Sequence, residues 1–534
     1  MWVILAAILL LAAGLRLWGV NWDGGIGAHP DEWYVVGVAE SLRWPSQLDP
    51  FELAPDYAYG HLPLYLLSVA RALVRDVDVL LVGRVLAALF DVGTVALTLA
   101  LGRRTHNQRV GLLSAAFVAL SVLHVQQAHF YTVDALLAFL VVGTLLFVVR
   151  LAEDGRSSDA VLAGVWVGLA LGTKASAGLL VLPLTAALIL SPRERWCRLW
   201  RFGVATTAVF AVTNPFALVE LPAFARNLGR QAAVLRGTLD VPYTRQYHAT
   251  LPYLYPIIQQ GRWGLGWLPT LAAFGGLGYA VWNAVRTPAR RGEWILLTWV
   301  LPSFAFTGAL HAKFPRYLLP LTPALAIFAS VLIADLGRLQ RAVFGAICLP
   351  LLGSMLLRCA MLVGMYRVPH PWISASEWFY ENAEAGSVVA TEEWDHPLPV
   401  DSRGYDVSVL PIFDEESTQK WNAIEDALAE ADYVVVASRR GYATLAGMPE
   451  RYPQTARYYE RLFEGGLGFE PVGCFGRFPS VGSFSLADDP TTRLAFSLPE
   501  PCDVGEYEEF RQGRLDESFV VYDHPLVLVF KALD

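Results

Sequence analysis

Residues 133–150 read VDALLAFLVVGTLLFVVR, eighteen residues with a carboxylate near the start and a guanidinium at the end. Between them lie only apolar or small side chains. As a helix this stretch is ~27 Å long at about 1.5 Å per residue, close to the ~30 Å hydrocarbon thickness of a bilayer. The two charges give it a direction. Arg150 and the nearby Arg156 mark the cytoplasmic side by the excess of cations that inner loops carry. Asp134 then stands at the outer end.

The same reading extends along the chain. Apolar runs of bilayer length fall at about 2–20, 79–101, 110–127, 133–150, 159–173, 176–190, 202–219, 264–285, 294–310, 317–335 and 343–364. This predicts a polytopic α-helical membrane protein with about eleven transmembrane helices. The runs 159–173 and 176–190 are short, and a re-entrant or tilted pair remains open there. Residues 2–13 lack a basic leader and an A-x-A site and read as an uncleaved first span. Alternate short loops hold Arg103/Arg104/Arg109, Arg150/Arg156, Arg193/Arg195/Arg198/Arg201, Arg286/Arg290/Arg291 and Arg338/Arg341. With eleven crossings all five loops are cytoplasmic, as is the N-terminus. The loops 21–78 and 220–262 and the tail from 365 are then outside.

Composition divides the chain at the same place. Of 534 residues 54% are hydrophobic and 17% charged, with net charge −8. Residues 1–364 carry 28 Lys and Arg against 19 Asp and Glu, a net of +9. Residues 365–534 carry 13 against 30, a net of −17. Mean hydropathy is +0.40. These figures exclude a disordered chain and disfavour a soluble enzyme. The acidic part offers no basic stripe for nucleic acid. The expected organisation is therefore a membrane domain over 1–364 and a soluble extracytoplasmic α/β domain over 365–534. In the tail, 387–391, 432–437, 519–522 and 526–530 read as strands, and 376–385 and 452–463 as helices. Glu392, Glu393, Asp395 and His396 follow a strand, and a solvated loop is the favoured reading over a cation site. Cys197, Cys348, Cys359, Cys474 and Cys502 show no C-x-x-C spacing. Only Cys474 and Cys502 fall in the soluble part, where pairing and two free thiols are both open.

The first outer loop begins Gly27-Ala28-His29-Pro30-Asp31-Glu32. Pro30 followed by two acids suits a helix N-terminus; an Asp at the membrane surface also suits a general base. Asp31–Trp44 and His61–Val74 read as amphipathic helices along the outer surface. Tyr59-Gly60-His61-Leu62-Pro63-Leu64 reads as a turn that aims His61, or as an ordinary helix start. His129 and Asp134 stand at the outer end of the fourth span, where ionisable groups are costly; Asp134 also reads as a helix-capping acid. His311-Ala312-Lys313-Phe314-Pro315-Arg316-Tyr317 places two cations three residues apart, suited to a phosphate or to anchoring at the interface. Lys174 and Lys313 are the only lysines of the membrane part, and both fall on the outer side, as anion-binding or snorkelling groups. The loop 220–262 is rich in Arg and Tyr and reads as a partly helical flap.

Taken in order, Asp31-Glu32, His61-Leu62-Pro63-Leu64, His129 to Asp134 and Lys313-Phe314-Pro315-Arg316-Tyr317-Leu318-Leu319-Pro320 resemble the GT-C class of membrane glycosyltransferases, family 39 in the broad sense. That group includes protein O-mannosyltransferases and lipid A aminoarabinose transferases. The resemblance covers most of 1–364. It implies transfer of a sugar from a polyprenyl-phosphate carrier to a protein, lipid or glycan acceptor at the outer face of the cell membrane. On that carry-over Asp31 is the catalytic base, and Glu32, a catalytic candidate beside it, shapes or supports the site. His61, His129, Asp134, Lys174 and Tyr317 shape the substrate site, and Lys313 and Arg316 hold the carrier phosphate. A single displacement inverts the anomeric centre. No cofactor is called for, and the sequence supports no metal site. A lipid transporter or flippase and a non-catalytic envelope scaffold are the competing readings.

Overall fold

A computed structural model describes residues 2–74, 78–191, 194–286, 290–337, 341–492, 494–499 and 508–533. The chain forms two compact units. The first comprises Met1–Val20, Pro30–Leu239 and Ala249–Cys359. The second comprises Asn21–His29, Asp240–His248 and Ala360–Asp534.

The first unit is built from helices: α1 (Trp2–Leu17), α2 (Pro30–Ser41), α3 (Leu62–Leu73), α4 (Val79–Thr105), α5 (Gln108–Ala119), α6 (Val122–Gln127), α7 (Val133–Asp154), α8 (Ser157–Leu171), α9 (Val181–Leu190), α10 (Arg195–Thr213), α11 (Leu221–Arg236), α12 (Trp267–Arg286), α13 (Arg291–Ala309) and α14 (Thr322–Gly337), with α15 (Arg341–Met365) running on into the second unit. Among the described residues four helical stretches are, by length and composition, able to cross a membrane: Val79–Thr105, Val133–Asp154, Pro315–Gly337 and Ala342–Met365. The opening stretch 133–150 is helical throughout, and α7 runs one turn further to Asp154. Its terminus follows from Gly155, which adopts φ 66° and closes the helix with a left-handed cap.

The run 159–190 is broken where the sequence reading was uncertain. α8 stops at Leu171, residues 172–174 turn, and a 3₁₀ segment, Ala175–Leu180, leads into α9. Gly164 and Gly168 on α8, and Gly172 just past its end, recur every four residues and admit α10 closely. A Cβ at Gly164 would lie 2.6 Å from the Phe202 carbonyl oxygen, and one at Gly172 2.5 Å from Thr213 Oγ1. Small residues at this spacing let helix backbones touch, which is how packing proceeds where apolar burial gives no drive.

One polar cluster lies inside this apolar unit. Arg16 of α1 is fully buried and places Nε 2.5 Å from Asp91 Oδ2 of α4. It also donates to the carbonyls of Val118 and Ala119 at the end of α5. His124 Nδ1 lies 2.6 Å from the other Asp91 oxygen. α1, α4 and the α5–α6 turn are thereby tied at one point, with each charge matched as a low-dielectric interior requires.

The second unit contains a five-stranded sheet in the order β2-β1-β3-β8-β4. Its strands are β1 (Val388–Glu392), β2 (Asp406–Leu410), β3 (Tyr433–Val436), β4 (Phe469–Phe475) and β8 (Val527–Ala532). β1 runs parallel to β2 and β3, whereas β8 runs antiparallel to β3 and β4. A small sheet of β5 (Ser480–Val481), β6 (Phe484–Ala487) and β7 (Glu508–Arg511) stands apart. The helices Pro371–Asn382, Thr418–Glu430 and Pro453–Phe463 accompany the larger sheet. The expected strand 519–522 is instead a helical turn, Glu517–Val520. Asp516 accepts the Ser518 N–H at 2.9 Å and its hydroxyl at 2.6 Å, and this cap overrides the β-branched composition. The acidic stretch after β1 is not a solvated loop either. Glu392 and Asp395 are buried. Tyr459 donates to Glu392 at 2.7 Å, and Ser438 and Arg440 hold Asp395. Cys502 lies outside the described residues, and with it the possible pairing with Cys474.

Candidate functional site

The site is assembled by a loop docked onto the break after α8. Gly60 N–H donates to the Thr173 carbonyl at 3.0 Å, and Leu62 N–H to the Gly172 carbonyl at 2.9 Å. The contact is so close that a Cβ at Gly60 would lie 2.0 Å from the Gly172 oxygen; only glycine fits. His61 N–H is fixed by Asn214 Oδ1 at 2.7 Å. The result brings Tyr59 to Lys174. Lys174 Nζ lies 5.9 Å from the Tyr59 ring centroid and 5.0 Å from that of Tyr317, within cation–π range.

Four charges meet there. Lys174 Nζ is 2.8 Å from Asp134 Oδ1. Arg316 Nε is 3.7 Å from Asp134 Oδ2, and Arg316 Nη2 is 2.9 Å from Asp31 Oδ2. Asp31 and Asp134 each occupy the first turn of a helix, α2 and α7, where the positive end of the helix dipole favours an anion. Arg316 follows Pro315 in the 3₁₀ segment Pro315–Leu321 and stacks on Phe314. Asp134 and Arg316 are almost fully enclosed, whereas the Asp31 side chain keeps 32% of its exposure. The two carboxylates and two cations balance, so the cluster is neutral, and Asp31 is its open edge. Burial, with Asp31 next, pushes the Tyr59 phenol well above its usual range and keeps it protonated.

The remaining candidates are placed elsewhere. Glu32 has no exposure. Its two oxygens accept from Arg84 Nε at 2.9 Å and Nη2 at 2.8 Å, and the first also takes the Tyr131 N–H at 2.7 Å. Enclosed in this way, Glu32 ties α2 to α4 and stands apart from the Asp31 cluster. Lys313 does not join the cations; Nζ donates to Thr250 Oγ1 at 3.0 Å and to the His311 carbonyl at 2.9 Å. Its partners are loop atoms, and it braces the turn ahead of Arg316. His129 bridges the carbonyls of Val125 and Trp18 at 2.7 and 2.9 Å. His61 is enclosed by Phe51, Tyr57, Tyr65 and Phe216. Burial pushes its pKa down to about 4, so the ring is neutral at physiological pH. Tyr59 is the residue that sequence reasoning passed over. Its signal was its place two residues before His61 in a Gly-Pro-bounded turn.

A family model for dolichyl-phosphate-mannose-protein mannosyltransferases matches residues 61–218. Solved structures extend the likeness. An oligosaccharyltransferase from Archaeoglobus fulgidus, in its apo form, is 16% identical with TM-score 0.52, covering 86% of this chain and 72% of its own. ArnT from Cupriavidus metallidurans, bound to undecaprenyl phosphate, is 17% identical with TM-score 0.52, covering 83% and 94%. The A. fulgidus oligosaccharyltransferase AglB, in complex with an inhibitory peptide and a dolichol-phosphate, is 14% identical with TM-score 0.51, covering 86% and 72%. The chain has the GT-C fold of these structures. No curated protein sequence matches it significantly. The segment matched by the family model includes Asp134 and Lys174 but ends before Arg316 and begins after Asp31. The fold joins what the matched segment leaves out. Among the described residues no group of three or more His, Cys, Asp and Glu is arranged to hold a metal ion.

Proposed function

We propose that the chain is an integral membrane glycosyltransferase that moves a sugar from a polyprenyl-phosphate carrier to an acceptor. The observation that carries this reading is the four-charge cluster of Asp31, Arg316, Asp134 and Lys174. Departure of a lipid phosphate needs cations where charge develops, and attack by a hydroxyl needs a base beside them. Arg316 and Lys174 are the cations. Asp31, the least enclosed carboxylate, is the base. Asp134 and Tyr59 hold the cations in place, and Tyr317 forms the aromatic wall under Lys174. A carrier phosphate drawing Arg316 toward itself would release Asp31 from its 2.9 Å ion pair. The base is then freed as the donor seats, and the acceptor proton passes to Asp31 as the carrier oxygen leaves. One displacement of this kind inverts the anomeric centre.

In this reading 1–364 is the membrane domain, with eleven crossings, and 365–534 is an extracytoplasmic domain. Arginines at the end of α7 remote from Asp134 support a cytoplasmic N-terminus and an outer-face site in the cell membrane. Acceptors of this chemistry are protein hydroxyls, lipids or glycans. A transporter would favour ionisable groups at the midplane of two repeated halves; the cluster at one end of α2 and α7 favours transfer. The test is transfer from a radiolabelled polyprenyl-phosphate sugar by membranes from cells with and without the gene, alongside Asp31→Asn. Full transfer by that variant overturns the assignment of the base. A labelled lipid moved between leaflets without any glycosylation overturns the enzyme.

A further inference from the structure

α7 separates two charged ends. Asp134 and Arg150 are sixteen residues apart, ~24 Å along a helix. Around Arg150 the ends of α4 and α7 enclose a cavity of about 530 Å³ lined by Ala100, Arg103, Arg104, Leu146, Arg150, Asp154 and Arg156. Four guanidiniums therefore face one carboxylate. Two of the four are held by acids: Arg104 Nε lies 2.7 Å from Glu153 Oε2 and also pairs with Asp154, and Arg150 Nη2 lies 3.0 Å from the buried Asp159. Arg103 and Arg156 are exposed and make no ion pair among the described residues. Two further arginines reinforce this end without lining the cavity. Arg290 donates to the carbonyls of Thr105 and His106, and Arg291 to that of Ala152.

We propose that this cavity binds the phosphate of an anionic glycerophospholipid. Its polarity is graded in the direction such a lipid needs. Ala100 stands one helical turn before Arg104, and Leu146 one turn before Arg150, so the apolar wall lies deeper along both helices than the cations. A phosphate at the guanidiniums would lead its glycerol and first methylenes onto Ala100 and Leu146. A free anion has no use for that wall. The acid partners of Arg104 and Arg150 fix the planar groups, and Arg103 and Arg156 supply the unmatched charge. Orientation alone requires arginines on this side but not their convergence on one cavity.

The test is native mass spectrometry of the purified full chain in neutral detergent with phosphatidylglycerol, phosphatidylcholine or inorganic phosphate. Phosphatidylglycerol should be retained as a one-to-one adduct and phosphatidylcholine should not. At about fivefold per arginine near a headgroup, Arg103→Gln with Arg156→Gln should lower phosphatidylglycerol occupancy ~25-fold. Both side chains are exposed, so the fold should survive. The control removes two exposed arginines of the same sign outside the cavity, Arg109→Gln with Arg286→Gln, and should leave the adduct in place. Equal loss in the control, equal retention of phosphatidylcholine, or displacement by millimolar inorganic phosphate overturns the proposal.

Discussion

Glu32 and Asp31 are adjacent in sequence and opposite in setting, so replacing each by its amide separates anchoring from chemistry. The Glu32 carboxylate has no exposure and accepts three hydrogen bonds, two from Arg84 and one from the Tyr131 N–H. Glu32→Gln removes the charge from one side of its pair with the fully buried Arg84 guanidinium. Breaking one side of such a pair costs about 3–5 kcal/mol. The amide oxygen still accepts one bond, which places the loss near the lower end, on the order of 3 kcal/mol. At roughly 2–4 °C per kcal/mol for mid-sized domains, the midpoint falls by on the order of 10 °C.

Asp31 differs on each count. Its side chain is 32% exposed and pairs with Arg316 at 2.9 Å. Discounted for solvent screening, Asp31→Asn costs at most about 1 kcal/mol. As the base, it should lower transfer by ~10²–10⁴-fold. The assay is thermal unfolding in detergent together with donor-dependent transfer below both midpoints. Glu32→Gln should be unstable and largely active; Asp31→Asn should be stable and inactive. Replacing Glu32 and Arg84 together by Leu and Met should recover most of the lost stability, because an apolar pair leaves no buried charge. A Glu32→Gln protein with an unchanged midpoint and abolished transfer would refute this reasoning, since the carboxylate would then be reacting and not anchoring.

Three further perturbations follow from the same geometry. Gly60→Ala drives a Cβ to 2.0 Å from the Gly172 oxygen; the loop must lift, moving Tyr59 off Lys174, and donor KM should rise together with a fall in kcat. Lys313→Met should lower the unfolding midpoint with donor KM unchanged, because Lys313 bonds Thr250 and the His311 carbonyl, whereas Arg316→Gln should raise donor KM; equal KM effects would place Lys313 at the phosphate after all. In the second unit, burial, with Asp395 adding to it, pushes the Glu392 carboxyl up to about 8. Its folded pKa is above its unfolded value of 4.5, so its contribution is whole below about pH 4.5 and is lost as pH rises through about 8. The midpoint should decline between pH 5 and 8.5, and Glu392→Gln should flatten that decline.

The parts of the molecule legible in its sequence are those where solvent imposes a rule on each residue separately. A bilayer forces long apolar runs, and such runs in 1–364 are mainly helical among the described residues, with breaks inside 110–127, 159–190 and 202–219. Asp134, Lys174 and Arg316 could be singled out one at a time because a charge near the end of an apolar run is costly wherever its partner lies. What the sequence could not supply was pairing. Nothing in Pro30-Asp31-Glu32-Trp33 says which acid turns toward Arg84 and which toward Arg316; that choice depends on helices contributed by residues 52 and 285 positions away. Tyr59 was hidden for the same reason, since its value lies in the docking of Gly60 on Gly172.

The Arg16–Asp91–His124 clasp makes the distinction sharper. Arg16 is the one ionisable group of the run 2–20, whereas the run 79–101 holds Arg84 as well as Asp91; opposite charges that membrane burial forbids singly are candidates for contact, and Arg16 and Asp91 are 75 residues apart. That inference needs only the rule that an intramembrane charge must find its partner. By that rule the α1–α4 contact is one of two pairings open to Asp91, with Arg16 or with Arg84 of its own run. The Asp31–Arg316 contact is not reached by that rule, because Asp31 keeps enough exposure for water to serve in place of a partner. The most solvent-accessible member of the cluster is thus the least predictable in its contacts, and the same accessibility is what leaves it available to a substrate.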